Sequence, residues 1–276
     1  IDPVDTYFMN TIGKVRATNE LHEYQTDTLA AAAANAWIES DAFTATARTA
    51  TVRINNRCQI LRDDFTISDR LKSINLAGRS DEVAYQVNKS MKYIAKCIEY
   101  ALLINATKTT GSETVAPTMI GALGSITTNA TNAGGVDITR TMVNNSLATL
   151  WAAGGKSPYK LLCGSYQKMT LSASLSSINS REISAKEKRA TYEVDFYDTD
   201  HGVVEIRAHQ IINTSAPASV LILGDMGLWK TAWLKDVIVK KLPELPMAQP
   251  ISVIADLTLE ARQEKGSAKI TELATG

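Results

Sequence analysis

The sequence predicts an α+β fold in which one long helix and several paired strands share a core. Three features predict it. Residues 80–106, SDEVAYQVNKSMKYIAKCIEYALLINA, place Val83, Val87, Met91, Ile94, Ile98 and Ala101/Leu102 at spacings of three and four, an apolar stripe at the helical period. Residues 52–67 and 190–213 alternate apolar with polar side chains, as strands wet on one side do. A further alternating run, residues 251–261, passes through Val253, Ala255, Leu257 and Leu259 and reads as a long strand.

Residues 1–19 carry Pro3, Gly13 and the apolar Tyr7, Phe8, Met9 and Ile12 without a sustained period. They read as an extended arm whose apolar residues need a surface from the body of the chain or from a neighbour. Residues 20–69 combine the strand-like HEYQTD, a small-residue tract at Ala30–Ala34, and the alternation through Val52, Ile54, Ile60, Phe65 and Ile67. Together these predict a long two-stranded ribbon with an alanine-rich tip. Such a ribbon is marginal in water by itself and is expected to lie on another molecule, with plain edge strands as the alternative.

In the helix at 80–106, Ser80 is expected to cap the N-terminus while Asp81 and Glu82 face the positive end of the dipole; Lys89, Lys92, Lys96 and Glu99 fall off the apolar stripe. At about 1.5 Å per residue this helix is about 40 Å long, a spine more than a covering element. Residues 111–137 are rich in Gly, Thr, Asn and Ser and read as loops around one or two short strands. Residues 138–153 return to helical spacing through Met142/Val143, Leu147, Leu150 and Trp151, and Gly154-Gly155 stop them. YKLLCGS follows as a buried strand and YQKMTLSASLSS as a helix; helix, strand and helix make a compact α/β block. ATYEVDFY, a DTDHG turn and VVEIRAHQII predict a hairpin, and ASVLIL at 218–223 a buried strand. One more strand is expected before Pro243 and Pro246.

Composition narrows the function. With 276 residues, 45% hydrophobic and 21% charged, the chain can bury a large core as one domain or two closely joined ones. Lys+Arg 29 balances Asp+Glu 29, so no general basic field gathers phosphates. Cys58, Cys97 and Cys163 are odd in number and far apart, which excludes a disulfide framework and fits a reducing compartment. Neither a membrane span nor a secretion signal is expected. Because it starts at Ile1, the chain is expected to begin downstream of a translation start.

The candidate chemistry is thin. Gly154-Gly155-Lys156-Ser157 resembles the end of a phosphate loop but follows a helix where that motif requires a strand. Asp198, Asp200, His201 and Gly202 lie in a hairpin turn, where Asp and Gly are expected on conformational grounds. His22, His201 and His209 have no zinc-type spacing, and Cys58 and Cys97 read as small core residues. No catalytic, cofactor-binding or metal residue is therefore expected. Arg48, Arg53, Arg57, Arg62 and Arg70 are diluted by Asp41, Asp63, Asp64 and Asp69; they suit ion pairs between subunits or a plain solvated strand face.

The stretch DPVDTYFMNTIGKVRATNELHEYQTDTLAAAAANA (2–36) resembles the opening of one family of tailed-bacteriophage major head proteins with the Hong Kong 97 fold, which tends to carry DPxDTPFxNxIGK followed by HEWQTD and LAA. Residues 77–103 and the segment around Trp151-Ala-Ala-Gly-Gly are similar to it too, while Tyr7 and Tyr24 stand where the family often has Pro and Trp. The resemblance implies an N-terminal arm (1–19), an E-loop ribbon (20–69), a P-domain (70–118 and 228–276) and an A-domain (119–227). It also implies a non-enzymatic shell subunit that assembles in the host bacterial cytoplasm into the hexamers and pentamers of an icosahedral head. Implied partners are sister copies, portal and possibly scaffolding, protease or cement proteins, and packaged double-stranded DNA without sequence specificity. Some members cross-link an E-loop lysine to a neighbour's asparagine; no lysine lies between Val15 and Leu71 here, so a non-covalent shell is expected. The alternatives are an encapsulin-like compartment shell and a cytoplasmic α/β enzyme with a ligandable pocket.

Overall fold

The computed structural model describes residues 4–45, 47–74, 81–176, 195–214 and 219–276. The chain opens with a short helix, α1 (Tyr7–Thr11), and a strand, β1 (Gly13–Arg16). β2 (Leu21–Thr26) and β3 (Val52–Arg57) pair antiparallel from Leu21 opposite Arg57 to Thr26 opposite Val52. This is the expected ribbon, but it is shorter than residues 20–69. The next strand, β4 (Gln59–Ser68), belongs to a different sheet. Buried Cys58 lies between β3 and β4, tied down by the bond from its N–H to the Glu20 carbonyl. The reason is register: Ile67, Phe65 and Leu61 share one face of β4 and pack toward the core, a face that an isolated ribbon could not bury.

After the short α2 (Asp69–Ser73) comes the spine, α3 (Glu82–Ile104), 23 residues long. Asp81 is its cap, accepting from the N–H groups of Val83 at 2.8 Å and Ala84 at 3.2 Å; Ser80, the expected cap, lies outside the described residues. Ile94, Ile98, Ala101 and Leu102 are buried as the stripe requires, whereas Met91 is exposed and Val83 and Val87 are half-buried. Glu99 breaks the pattern. Expected off the stripe, it is completely buried.

The second half of the fold begins with α4 (Ala122–Ser125), β5 (Ala130–Asn132) and α5 (Arg140–Ala152), which ends at Gly154 with φ +85°. β6 (Tyr159–Cys163) and α6 (Ser165–Ser176) follow. Then β7 (Phe196–Thr199) and β8 (Gly202–Ala208) make the expected hairpin, of which residues 190–194 lie outside the described residues. Its second arm stops early: Gln210–Thr214 form α7 and do not continue the strand, because Ile211 and Ile212 turn together into the core. β9 (Leu221–Gly224) is buried throughout.

The chain closes with β10 (Trp229–Lys241), β11 (Ala248–Ala261) and β12 (Ser267–Thr271). A four-stranded sheet runs β1-β10-β11-β4, and a six-stranded sheet runs β5-β12-β9-β6-β8-β7. β11 turns Val253, Ala255, Leu257 and Leu259 toward Ile94, Ile98 and Leu102 of α3, forming one core. A second core lies between the six-stranded sheet and α5 and α6, with Leu147, Leu150, Leu161, Leu171 and Leu223 fully buried. β12 had no counterpart among the expected strands: SAKIT is too short to show a period.

Of the two surfaces expected for the apolar residues of 1–19, the body of the chain or a neighbour, the described part uses the first, and it holds a short helix and a strand where an extended segment is expected. Phe8 and Ile12 are buried in the core with α3, Phe8 meeting the Trp229 ring edge-on at 6.3 Å, and β1 pairs parallel with β10 from Gly13 to Arg16. Burying a phenylalanine stabilises by about 2 to 3 kcal/mol, enough to hold a single helical turn that would not persist alone.

Candidate assembly surfaces

Beyond Thr26 and before Val52 the two arms of the ribbon leave their ladder, and the described residues between them are exposed and form no strand or helix. Leu29 is 98% exposed, Trp37 64%, Ile38 80% and Phe43 94%. Four large apolar side chains so exposed within one segment, the finger, are more than the scattered surface hydrophobes of the ordinary kind, and they make it the candidate contact surface. A second group, Leu242, Leu245 and Met247, is exposed where β10 turns into β11.

The root of the finger is fixed firmly. Asn56, 1% exposed, donates from Nδ2 to the carbonyls of Leu259 at 2.8 Å and Ile120 at 3.0 Å, while its Oδ1 accepts from the Ile120 N–H at 3.0 Å. His22 Nε2 lies 3.0 Å from Glu260 Oε2, and Arg262 Nε donates to Glu260 Oε1 at 2.7 Å. Burial alone would raise the Glu260 carboxyl, but these two partners outweigh it and hold the group below its ordinary range. The Tyr24 hydroxyl accepts from the Ala261 N–H at 3.1 Å, and burial pushes that phenol up.

The helix α1 is clamped by polar groups. The Glu99 carboxylate accepts from the backbone N–H of Phe8 at 2.6 Å and of Met9 at 2.8 Å, and lies 2.9 Å from His209 Nε2. Tyr7 donates its hydroxyl to Glu205 at 2.9 Å, and the Arg207 guanidinium sits 4.2 Å over the Tyr7 ring. Lys160 at 2.5 Å is the main cause that holds the Glu205 carboxyl down. Sequence reasoning missed Glu99 and His209; the available signal was a carboxylate set between Ile98 and Ala101-Leu102.

The motif residues do not assemble a reactive centre. Gly154 to Ser157 form the turn after α5, where the Ser157 hydroxyl accepts from the Val203 N–H at 3.0 Å. Asp198, expected in the turn, is on β7 opposite Val203; Asp200 and His201 stay in the β7–β8 turn, with the His201 ring 5.7 Å from that of Trp151. Burial pushes the Cys58 thiol up to about 11 and Cys163 up to about 12, so neither is a ready thiolate. Among the described residues no group of three His, Cys, Asp or Glu side chains could hold a metal ion, and no helix is long and apolar enough to cross a membrane. Of the arginines, Arg53 pairs with Glu23 at 3.4 Å, Arg57 with Glu20 at 3.2 Å and Arg62 with Asp64 at 2.8 Å, all within the chain.

Two cores carrying an anchored, projecting apolar finger define a structural subunit built to assemble. The chain belongs to the SU10 major capsid protein family, whose model matches residues 1–274. It is a major capsid protein, a structural shell component that associates with its own kind and not an enzyme. Solved structures agree on the Hong Kong 97 fold. The cyanophage A-1(L) capsid protein superposes with a TM-score of 0.73 at 9% identity, covering 100% of this chain and 94% of that one. The capsid protein of a native GTA particle gives 0.66 at 14% identity, covering 99% and 93%. The SrpI encapsulin of Synechococcus elongatus PCC 7942 gives 0.67 at 9% identity, covering 98% and 88%, a likeness of fold alone. No curated protein matches the chain.

Proposed function

We propose that copies of this chain close into the hexamers and pentamers of an icosahedral head around a double-stranded DNA genome, without reading its sequence. The observation that carries this is the finger at residues 27–51, whose Leu29, Trp37, Ile38 and Phe43 have no cover within the chain's described residues. Covered by a sister copy, each such side chain would contribute about 1.5 to 3 kcal/mol, and the contact repeats at every interface of a closed shell.

We assign the parts by sheet, moving β4 and β12 relative to the division that the resemblance implies. The arm is anchored on its own subunit through α1 and β1; the E-loop is the β2–β3 ribbon and its tip; the P-domain is α3 with the four-stranded sheet, including β4; the A-domain is the six-stranded sheet with α5 and α6, including β12. Portal, scaffolding, protease and cement proteins are the further partners this role calls for, and assembly takes place in the cytoplasm of the host bacterium. Electron microscopy of the purified full-length chain tests the reading: closed, uniform shells are expected, and a monodisperse monomer at every concentration would overturn it.

A further inference from the structure

Many cations on this chain sit beside a carboxylate: Arg53 with Glu23, Arg57 with Glu20, Arg62 with Asp64, Lys72 with Asp69, Lys168 with Asp195 and Arg262 with Glu260. The outer face of α3 is arranged differently. Lys89, Lys92 and Lys96 are exposed, and among the described residues none is in an ion pair. At about 100° per residue their stems fall within an arc of about 60°, and the exposed Tyr93 and Tyr100 widen it to about 100°. From Lys89 to Lys96 the run spans about 10 Å of helix axis.

Two carboxylates of the helix lie near that arc, Glu82 about 20° from Lys89 and Glu99 about 20° from Lys92, but both are buried and engaged, Glu82 by Gln86 and Glu99 by the N–H groups of Phe8 and Met9, while Asp81 is engaged at the cap. Asp63 of β4 acts on Tyr93 and Cys97 at its margin. The patch ends toward the C-terminus because Leu102, Leu103 and Ile104 are enclosed on every side.

Since the net charge of the chain is zero, a polyanion would be held only where cations are locally unbalanced. Three hydrated ammonium groups on flexible stems suit phosphates, whose contacts position without reading sequence; tight protein docking favours guanidinium forks and apolar anchors. We propose that this lysine face of α3 meets the phosphate backbone of the enclosed nucleic acid, which turns the face toward the lumen of the shell. The proposal rests on the reading of the chain as a shell around DNA.

The test titrates the full-length chain, before shells close, into a short mixed-sequence DNA duplex over a range of salt, beside K89Q/K92Q/K96Q and K89R/K92R/K96R variants. All three side chains are exposed, so matching melting curves confirm that the variants fold. The glutamine variant is expected to flatten the plot of log affinity against log salt by about 2 to 3, and the arginine variant to restore it. Unchanged binding in the glutamine variant would overturn the proposal, as would absence of binding by the parent. So would loss of shells in micrographs with DNA binding intact, which would assign the face to contact between copies. Loss of the salt slope in a chain that never forms shells would support the phosphate contact while removing the shell reading.

Discussion

Glu99 and His209 meet at 2.9 Å with both side chains wholly inside the protein, and the same carboxylate takes the N–H groups of Phe8 and Met9. One buried carboxyl group therefore joins three elements: the spine helix α3, the segment after β8, and the arm helix α1. In the apolar interior so polar a group is tolerable only with its hydrogen-bond partners present.

Glu99→Ala is accordingly expected to destabilise the chain by about 3 kcal/mol, because two amide hydrogens and an imidazole lose their acceptor. Glu99→Gln keeps one acceptor oxygen and should lose less. Urea unfolding checks the order, with a lower midpoint and an unchanged slope for both variants.

The Glu260 group gives a pH dependence with a definite sign. Its carboxyl is held below the ordinary value of about 4.3 in the folded state, so the stabilisation is complete above that pH and is lost as pH falls through the folded value. Glu260→Gln should flatten the acid side of the stability profile and lower stability at neutral pH. Melting temperatures measured across the acid range decide it; a parallel profile for the variant would refute the assignment.

Asn56 ties the finger to Ile120 and Leu259 by three bonds. Replacing it with alanine leaves buried backbone groups without partners and should cost about 2 kcal/mol. The loss should concentrate at the finger root. Hydrogen exchange at the Ile120 amide and through Val52–Arg57 is expected to quicken, with β6 and β9 unaffected.

Substituting aspartate for Trp37 and Phe43 should leave the melting temperature of the chain unchanged, since both side chains are exposed, yet abolish shell formation. Intact particles of the parent should run as a single monomer band in denaturing gels, because no lysine lies between Val15 and Leu71 to form a cross-link from the finger. A covalent ladder would sink that expectation.

Much of this architecture was legible because period and burial agree. The lower half of α3, the α5-to-α6 block and the alternation of β11 each expose one consistent face to the core, so their residues announce their neighbours. The ribbon was legible as a pair of strands but not in its extent: Gln59–Ser68 alternates just as Val52–Arg57 does, and only the long-range partner β11 separates them. Which of the two surfaces the arm docks on was not legible for a similar reason. Its anchor is Glu99, a charged residue that composition rules send to the surface, and its partner His209 stands far away in sequence.

The pairing of β4 with β11 also governs how the polypeptide can be made. Ile67 cannot meet Gln249, nor β9 meet β12, until nearly the whole length has left the ribosome. Neither sheet is then available to a half-finished copy, and slow, late ordering is the physical outcome of such distant contacts. The base of the finger is thus completed late: β4 precedes β11 by almost two hundred positions' worth of chain, and a polypeptide stopped before Ala248 would carry its finger on a strand that has no partner on that side.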